Sequence, residues 1–193
     1  MTDEHDVQRL VARARHGDVG AMGALHDHYA ERVFRFVRFR LGSPQDAEDM
    51  AQRVFLRMIE ALPRYESRGT PFGAWLFRIA RNAVIDHQRT RRSHEPLDAA
   101  GDATSMARGP EELAITASEM ERVTAALAQL TEEQREVIVY RFFAELSPRE
   151  ISIVVGSREG AVRAMQFRAL GALRRHLADP QISRGRAQEE VSE

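Results

Sequence analysis

Arginine and aromatic side chains are concentrated in the stretch from Pro63 to Arg92. Seven arginines stand there against the two acids Glu66 and Asp86, a local balance of +5 in a chain whose formal net charge is −1. The same stretch contains Trp75, the only tryptophan of the 193 residues. Positive charge beside aromatic rings on one rigid element suits a polyanion whose bases can stack. The chemistry that this stretch favours is therefore the binding of a nucleic acid.

A second basic surface is predicted near the C-terminal end of the chain. Residues 158–175 carry five arginines and one acid, a balance of +4. Arginine can pair with guanine edges and glutamine with adenine when a helix lies in a major groove. The exposed candidates on this helix are Arg158, Glu159, Arg163, Gln166 and Arg168. A helical hairpin with a solvated basic face is the alternative to a DNA-reading helix.

Helical periodicity dominates the elements that must position these residues, and strand signals are weak throughout. The N-terminal half predicts a short helix before Gly17, a long one from Val19 to Leu41, and a third that Ser43 caps and Pro63 stops. Thr70 and Pro71 open the helix that carries Trp75. The predicted fold is all-α, with two small helical domains joined by a flexible linker.

The C-terminal half has the layout of a helix-turn-helix. Thr131 and Ser147 each begin a capping box, and the second one precedes a short helix that ends at Gly156. A last helix follows from Arg158 to about Leu177, so a short helix, a glycine turn and a longer helix stand in series. The predicted divisions are a domain over 1–93, a linker over 94–110, a domain over 111–178 and a polar tail over 179–193.

Enzymatic, metal-binding and membrane functions are not predicted. The chain has no cysteine, no apolar run near the roughly 18 residues of a membrane span, and an acidic N-terminus unlike a signal peptide. His26 and His28 stand two residues apart and do not share a helix face, so they make a poor metal pair. Asp46 and Asp49 lack a histidine one turn away. We expect a cytoplasmic protein that is not an enzyme and has no metal, cofactor or small-molecule substrate.

Three motifs in order resemble the extracytoplasmic-function (ECF) class of bacterial sigma factors. The segment from Asp46 to Phe55 is similar to that family's polymerase-binding helix. The segment from Trp75 to Arg89 is similar to its helix for melting and reading the −10 element. Residues 127–141 and 146–177 are similar to its C-terminal domain, which reads the −35 element. The resemblance covers nearly the whole chain.

The resemblance implies roles for individual residues. Those implied to bind −10 DNA are Tyr65, Arg68, Arg81, Asn82, Asp86, Arg89, Arg91 and Arg92, with the loop from Tyr65 to Thr70 holding a flipped base. Those implied to bind −35 DNA are Ser157, Arg158, Glu159, Arg163, Gln166, Phe167 and Arg168. Those implied to bind polymerase are Asp46, Asp49, Gln52, Arg53 and Phe55. The position of Trp75 in the apolar stripe predicts a core residue instead of a stacking platform.

The implied partners are core RNA polymerase, through the β′ coiled coil and the β flap, promoter DNA, and an anti-sigma factor. The implied function is an alternative sigma factor that directs promoter-specific initiation. Two other functions stay open: a conventional helix-turn-helix regulator that binds duplex DNA, and a helical adaptor that binds only proteins. The basic and aromatic stretch over 63–92 argues against both, because neither needs a second nucleic-acid surface.

Ala161, Gln166 and Phe167 depart from the family's common residues, so the resemblance implies a −35 role without a particular sequence.

Overall fold

The computed structural model describes residues 4–67, 69–94 and 123–178, and these residues form helices without a strand. The predicted all-α fold with a C-terminal helix-turn-helix is confirmed. The N-terminal unit contains α1 (Glu4–Ala14), α2 (Val19–Leu41), α3 (Pro44–Ala61), a 3-10 turn (Leu62–Arg64) and α4 (Phe72–His94). The C-terminal unit contains α5 (residues 123–128), α6 (Glu132–Phe142), α7 (Pro148–Val155) and α8 (Glu159–Ala178).

Capping side chains define where several helices begin, much as the sequence predicts. The Ser43 side chain accepts a hydrogen bond from the backbone N–H of Asp46 at the start of α3. Both predicted capping boxes are present, with Thr131 paired to Gln134 and Ser147 paired to Glu150. Each box satisfies two backbone donors that a helix start leaves unpaired. Helices α4 and α8 each begin one residue later than predicted, at Phe72 and Glu159.

The N-terminal unit packs α2, α3 and α4 around one apolar core, with α1 against α2. The predicted stripe on α4 is present, with Phe72, Leu76 and Ala80 fully buried and Trp75 packed at the margin of the core. Ala74, Phe77 and Val84 are also buried on α4. Burial therefore extends over more of α4 than a single amphipathic stripe predicts, because this helix is covered by elements of both units.

The C-terminal unit is a helix-turn-helix supported by α6. Its interior is apolar, with Leu146, Ile151, Val154, Val162 and Ala169 buried. Gly156 ends α7 in the left-handed conformation, with φ 71° and ψ 34°, and its N–H donates to the carbonyl of Ser152. A glycine adopts this backbone without the strain that a Cβ would add, so the turn between α7 and α8 can be tight.

The two units pack against each other and share one hydrophobic cluster. Phe36 of α2 stacks on Tyr140 of α6 with ring centroids 5.2 Å apart and planes 19° apart. Phe39 of α2 and Phe143 form a second ring pair at 4.8 Å. The sequence pattern predicts two separate domains and does not indicate this contact.

Two of the predicted segments, the linker and the C-terminal tail, cannot be compared with the structure. The predicted linker over 94–110 beyond His94 and the polar tail over 179–193 lie outside the described residues. Among the residues that the structure describes, no helix combines the length and the apolar content needed to cross a membrane. Within that same part of the chain, no group of three or more potential ligand side chains is placed to hold a metal ion.

Candidate nucleic-acid interface

Helix α4 presents a polar strip that the N-terminal core does not cover. Asn82, Asp86 and Arg89 are exposed along one side of the helix, at the spacing of successive turns. The carboxylate of Asp86 lies 3.5 Å from the Arg57 guanidinium of α3. These three predicted −10 residues are therefore brought onto one surface that solvent reaches.

The loop before α4 is fastened by Tyr65. The Tyr65 hydroxyl donates a 2.7 Å hydrogen bond to the carbonyl of Thr70, and its ring packs against Phe72 and Trp75. The side chain is 3% exposed, and burial raises the pKa of Tyr65 to about 12. In this conformation the ring offers no face to a base, so its predicted base contact would require the loop to move. What the ring does here is hold the loop closed.

Two arginines of α4 contact the C-terminal unit. The Nε atom of Arg81 donates a 3.0 Å hydrogen bond to Glu136 of α6. Burial by itself would lower the pKa of Arg81, but the hydrogen bond and charge of Glu136 outweigh burial and raise it. Arg78 donates to the carbonyl of Ile153 on α7 at 2.9 Å. The resemblance implies a DNA contact for Arg81, and the structure instead places Arg81 against α6 and Arg78 against α7.

The other basic residues predicted for −10 DNA lie toward the end of α4 or outside the described side chains. Arg89 and Arg91 are exposed, and Arg91 lies 3.7 Å from the carboxylate of Asp46. That ion pair joins a predicted DNA contact to a predicted polymerase contact. Arg68 and the side chain of Arg92 are outside the part of the chain that the structure describes.

The start of α8 forms an open basic edge. Ser157, Arg158 and Arg163 are exposed, as are Phe167 and Arg168. Phe167 is 80% exposed, which is unusual for an aromatic ring, and it lies one turn after Arg163 on the same side of α8. Glu159 accepts a 2.6 Å hydrogen bond from Arg163 one turn later, and Gln166 is half-buried. At helical spacing, Glu159, Arg163, Gln166 and Phe167 share one face of α8, Arg168 lies about 140° round the helix from Arg163, and Ser157 and Arg158 precede its first turn.

The predicted polymerase-binding residues lie on α3. Asp49, Gln52 and Arg53 are exposed, Asp46 is half-buried, and Phe55 is buried with its ring 4.6 Å from that of His26. Beside them is an apolar groove between α2 and α3, lined by Phe34, Ala51, Phe55, Leu56 and Ile59.

The exposed residues of this groove are not among the predicted polymerase-binding residues. Leu56 is 60% exposed and Ile59 is 42% exposed. The helical pattern of α3 predicts Ile59 on the buried side. Leu56 lies outside the stripe of Met50, Val54 and Met58, and that displacement is a signal that could have located the groove.

The chain matches two family models in the order of its two units. Sigma-70 region 2 matches residues 25–94, and Sigma-70 region 4 matches residues 126–175. The first match spans α4 with its polar strip, and the second spans the helix-turn-helix. A conventional helix-turn-helix regulator would not account for the first match. These matches define the class as sigma factors of the Sigma-70 type.

Individual relatives show which members of this class the chain is similar to. The chain is 34% identical over 180 residues to the ECF RNA polymerase sigma factor BldN of Streptomyces coelicolor, covering 92% of this chain and 68% of that protein. It is 38% identical over 171 residues to the ECF RNA polymerase sigma factor SigD of Mycobacterium tuberculosis, covering 86% and 81%. CnrH, solved in complex with the cytosolic domain of CnrY, has a similar structure with a TM-score of 0.66 and 28% identity, covering 87% of this chain and 94% of that one.

The chain belongs to the ECF family of RNA polymerase sigma factors. It is an alternative sigma factor that directs transcription initiation, with core RNA polymerase and promoter DNA as its partners.

Proposed function

We propose that this sigma factor divides promoter recognition between two helices and binds polymerase with a third. Helix α8 reads the −35 element as duplex, α4 with the loop before it holds the melted −10 strand, and α3 docks on core polymerase. The observation that carries the proposal is the presence of two separate polar, arginine-bearing helix surfaces, on α4 and α8, in one chain. A protein that binds only one segment of duplex DNA would not need both of these helix surfaces.

The α8 surface has the chemistry for the major groove. Arg158 and Arg163 can pair with guanine edges or phosphates, and the exposed ring of Phe167 can contact a thymine methyl. Arg163 is held by Glu159 in the free protein, so binding must exchange a carboxylate for a base edge or a phosphate. That exchange keeps the guanidinium paired and limits the desolvation cost.

The α4 surface suits opened DNA. Asn82 offers both donors and an acceptor to the Watson–Crick edge of an unpaired base, and Arg89 lies further along the same side for phosphates. Removing a base from the stack costs a few kcal/mol, which contacts to the extruded base must offset. The loop that Tyr65 closes onto Thr70 is the proposed receptor for such a base.

The α3 surface suits a protein partner. Its exposed acids repel phosphates, while the neighbouring groove exposes Leu56 and Ile59. An apolar groove edged by His26, Glu48 and Gln52 has the anatomy of a protein interface, with an apolar centre and a polar rim. We assign this surface to the β′ coiled coil of core polymerase, and the contact with the β flap to the C-terminal unit.

An anti-sigma factor is the further partner that we propose. RpoE of Bartonella quintana, solved with the anti-sigma factor NepR, shares the fold of this chain with a TM-score of 0.65 at 22% identity. That likeness supports the fold alone, so the partner rests on the family to which the chain belongs. Co-purification of a tagged chain tests it, with a stoichiometric protein that blocks binding to core polymerase as the expected result.

Reconstituted transcription tests the proposed function. The purified chain, core RNA polymerase and a library of promoter fragments should give specific transcripts that core enzyme alone does not make. Asp49→Arg, a charge reversal on α3, should abolish binding to core polymerase, whereas Glu4→Arg, a charge reversal at an exposed position on α1, should retain it. Binding of a palindromic duplex by a dimer that never joins core polymerase would instead identify a conventional regulator.

A further inference from the structure

The loop before α4 is tied down at both of its ends by one side chain and its own backbone. The backbone N–H of Tyr65 donates to the carbonyl of Leu62 at 3.0 Å, which ends the 3-10 turn. The Tyr65 hydroxyl then reaches across the loop and donates to the carbonyl of Thr70 at 2.7 Å. The described residues between these two ends are exposed: Glu66, Ser67 and Gly69. The loop therefore presents an open tip on a fixed base.

The ring of Tyr65 is enclosed by other aromatic rings. Phe72 meets it edge-on, with centroids 5.6 Å apart and planes at 90°, and Trp75 lies 4.8 Å away. Tyr29 continues the cluster, with its ring 5.5 Å from that of Phe72. A ring that is packed on its neighbours in this way has no free face on which a base could stack. Any contribution of Tyr65 to DNA binding must therefore act through the loop that it holds.

Helix α1 reaches the base of the same loop. It packs against α2 and α4 through three buried side chains: Val7, Val11 and Ala14. Arg15, the residue directly after the helix, donates from Nη2 to the carbonyl of Pro63 at 3.4 Å. Pro63 lies in the 3-10 turn from which the loop starts. The end of α1 is thus tethered to the turn that sets where the loop begins.

The hydroxyl that fastens the loop is also within the electrostatic reach of α1. Burial has the largest influence on the pKa of Tyr65 and raises it, while the charge of Arg15 and a hydrogen bond from Gln8 lower it. Gln8 lies in the middle of α1 and is half-buried. The position of the Tyr65 hydroxyl therefore depends on α1 as well as on the aromatic cluster.

From these contacts we propose that α1 and Tyr65 form a brace that positions the base-receiving loop, with Tyr65 as a positioning residue and not a base contact. The inference rests on the proposed function, which assigns this loop to the melted −10 strand. The Sigma-70 region 2 match begins at residue 25, so α1 lies outside both matched segments. The brace gives this helix a part in promoter opening.

A brace of this kind acts by ordering the loop before DNA arrives. A base that leaves the stack loses free energy that its new contacts must restore. A loop that is already in its binding shape does not spend part of that contact energy on its own ordering. Phosphate contacts elsewhere on α4 do not depend on the loop. The brace should therefore strengthen binding through the extruded base alone.

Binding of a single −10 strand to the complex with core polymerase tests the brace. The probe is a fluorescent strand of about 12 nucleotides from a promoter that reconstituted transcription identifies, with an abasic site placed at each position in turn. For the wild type, an abasic site at the extruded position should weaken binding by roughly 10-fold or more. For Tyr65→Phe, which keeps the ring and loses the hydroxyl, this abasic penalty should fall to about 3-fold or less. Lower stability alone would not change the penalty, because it compares two strands on the same protein.

Matched variants separate the brace from general effects. Tyr29→Phe removes a buried hydroxyl from the same aromatic cluster and should keep the wild-type penalty. Arg15→Ala, which removes the tether to Pro63, should reduce the penalty by about 2- to 3-fold. Arg9→Ala is its control, because Arg9 is an exposed arginine of α1 that pairs with Asp6 and not with the turn.

Each outcome bears on the brace or on the proposed function. If Tyr65→Phe keeps the full penalty, its hydroxyl does not position the loop, and the inference fails while the proposed function stands. If Arg15→Ala weakens the intact and abasic strands equally, Arg15 contacts the DNA itself and α1 is not part of a brace. A wild-type complex with no penalty at any position would overturn the proposed −10 role of the loop and the brace with it.

Discussion

Asn82 and Arg163 represent the two DNA surfaces, and both side chains are exposed. Asn82→Ala should weaken open-complex formation by about 1–3 kcal/mol, because it removes a base-edge contact. The same variant should bind −35 duplex like the wild type. Heparin-resistant complexes measure the first effect, and mobility shifts on a −35 duplex measure the second.

Arg163→Ala should produce the reverse pattern. Duplex binding at −35 should weaken by about 1–3 kcal/mol if the guanidinium reads a base, while binding to single-stranded −10 DNA should be retained. Equal losses at both elements, for either variant, would contradict the division of labour between α4 and α8. Arg174→Ala is a suitable control, since Arg174 is exposed near the end of the same helix, 11 residues and about 16 Å beyond Arg163 along the axis.

The three tyrosines of the chain provide a prediction about pH. Burial raises the pKa of Tyr65 to about 12 and raises those of Tyr29 and Tyr140 further above the ordinary value of 10.0. The unfolded chain therefore ionises its tyrosines at a lower pH than the folded chain. The stability that results is complete below pH 10 and is lost as pH rises through the folded values.

An alkaline titration followed by phenolate absorbance checks this expectation. Phenolate should be almost absent at pH 10 and should appear together with the loss of helical circular dichroism. Tyr65→Phe should remove one phenolate from the total and release the hydrogen bond to Thr70. Ionisation of all three residues near pH 10, with the helices intact, would show that the rings are not buried as described.

Helix ends could be predicted well because they depend on local chemistry. Ser43, Thr131 and Ser147 cap the helices that the sequence assigns to them, and Gly156 ends α7. Each of these features depends on only a few neighbouring residues, so it can be predicted from the sequence. The exposure of Leu56 and Ile59 depends instead on how α2 and α3 meet, which is a tertiary property.

Gly156 gives a prediction at the scale of the α7–α8 turn. Gly156→Ala should destabilise the chain by about 1 kcal/mol, because φ 71° is strained for a residue with a Cβ although there is space for one. Gly160→Ala, four residues later in exposed helix, should be neutral or stabilise by about 0.5–1 kcal/mol. The urea midpoint should therefore fall for Gly156→Ala and should stay unchanged or rise for Gly160→Ala. A similar shift for both would mean that backbone strain does not govern the turn.

At the scale of the whole molecule, the shared core predicts joint unfolding of the two units. Trp75 reports on the N-terminal unit, whereas circular dichroism reports on helices of both units. The two signals should follow one urea transition, as expected for a single cooperative structure. Loss of helix at a lower urea concentration than the change in Trp75 fluorescence would show that the C-terminal unit unfolds independently.

Phe36→Ala is a second test of whether the two units unfold together. Phe36 is fully buried between the rings of Phe77 and Tyr140, so its removal should cost about 3–5 kcal/mol. The urea midpoints of Trp75 fluorescence and of circular dichroism should both fall, and by the same amount. Ile85→Ala, an exposed position on α4, is the control and should change stability by less than about 0.5 kcal/mol.

The sequence by itself determines the helices, their caps, the helix-turn-helix and the basic composition of two surfaces, because periodicity and capping act over a few residues. Only the tertiary structure decides which polar residues of α4 stay exposed to solvent and which contact the C-terminal unit. Arg81 and Asn82 are neighbours with similar predicted roles, yet Arg81 pairs with Glu136, 55 positions away, and Asn82 faces solvent. Side-chain partners that are distant in the chain are chosen by packing, and packing depends on all of the surfaces at once.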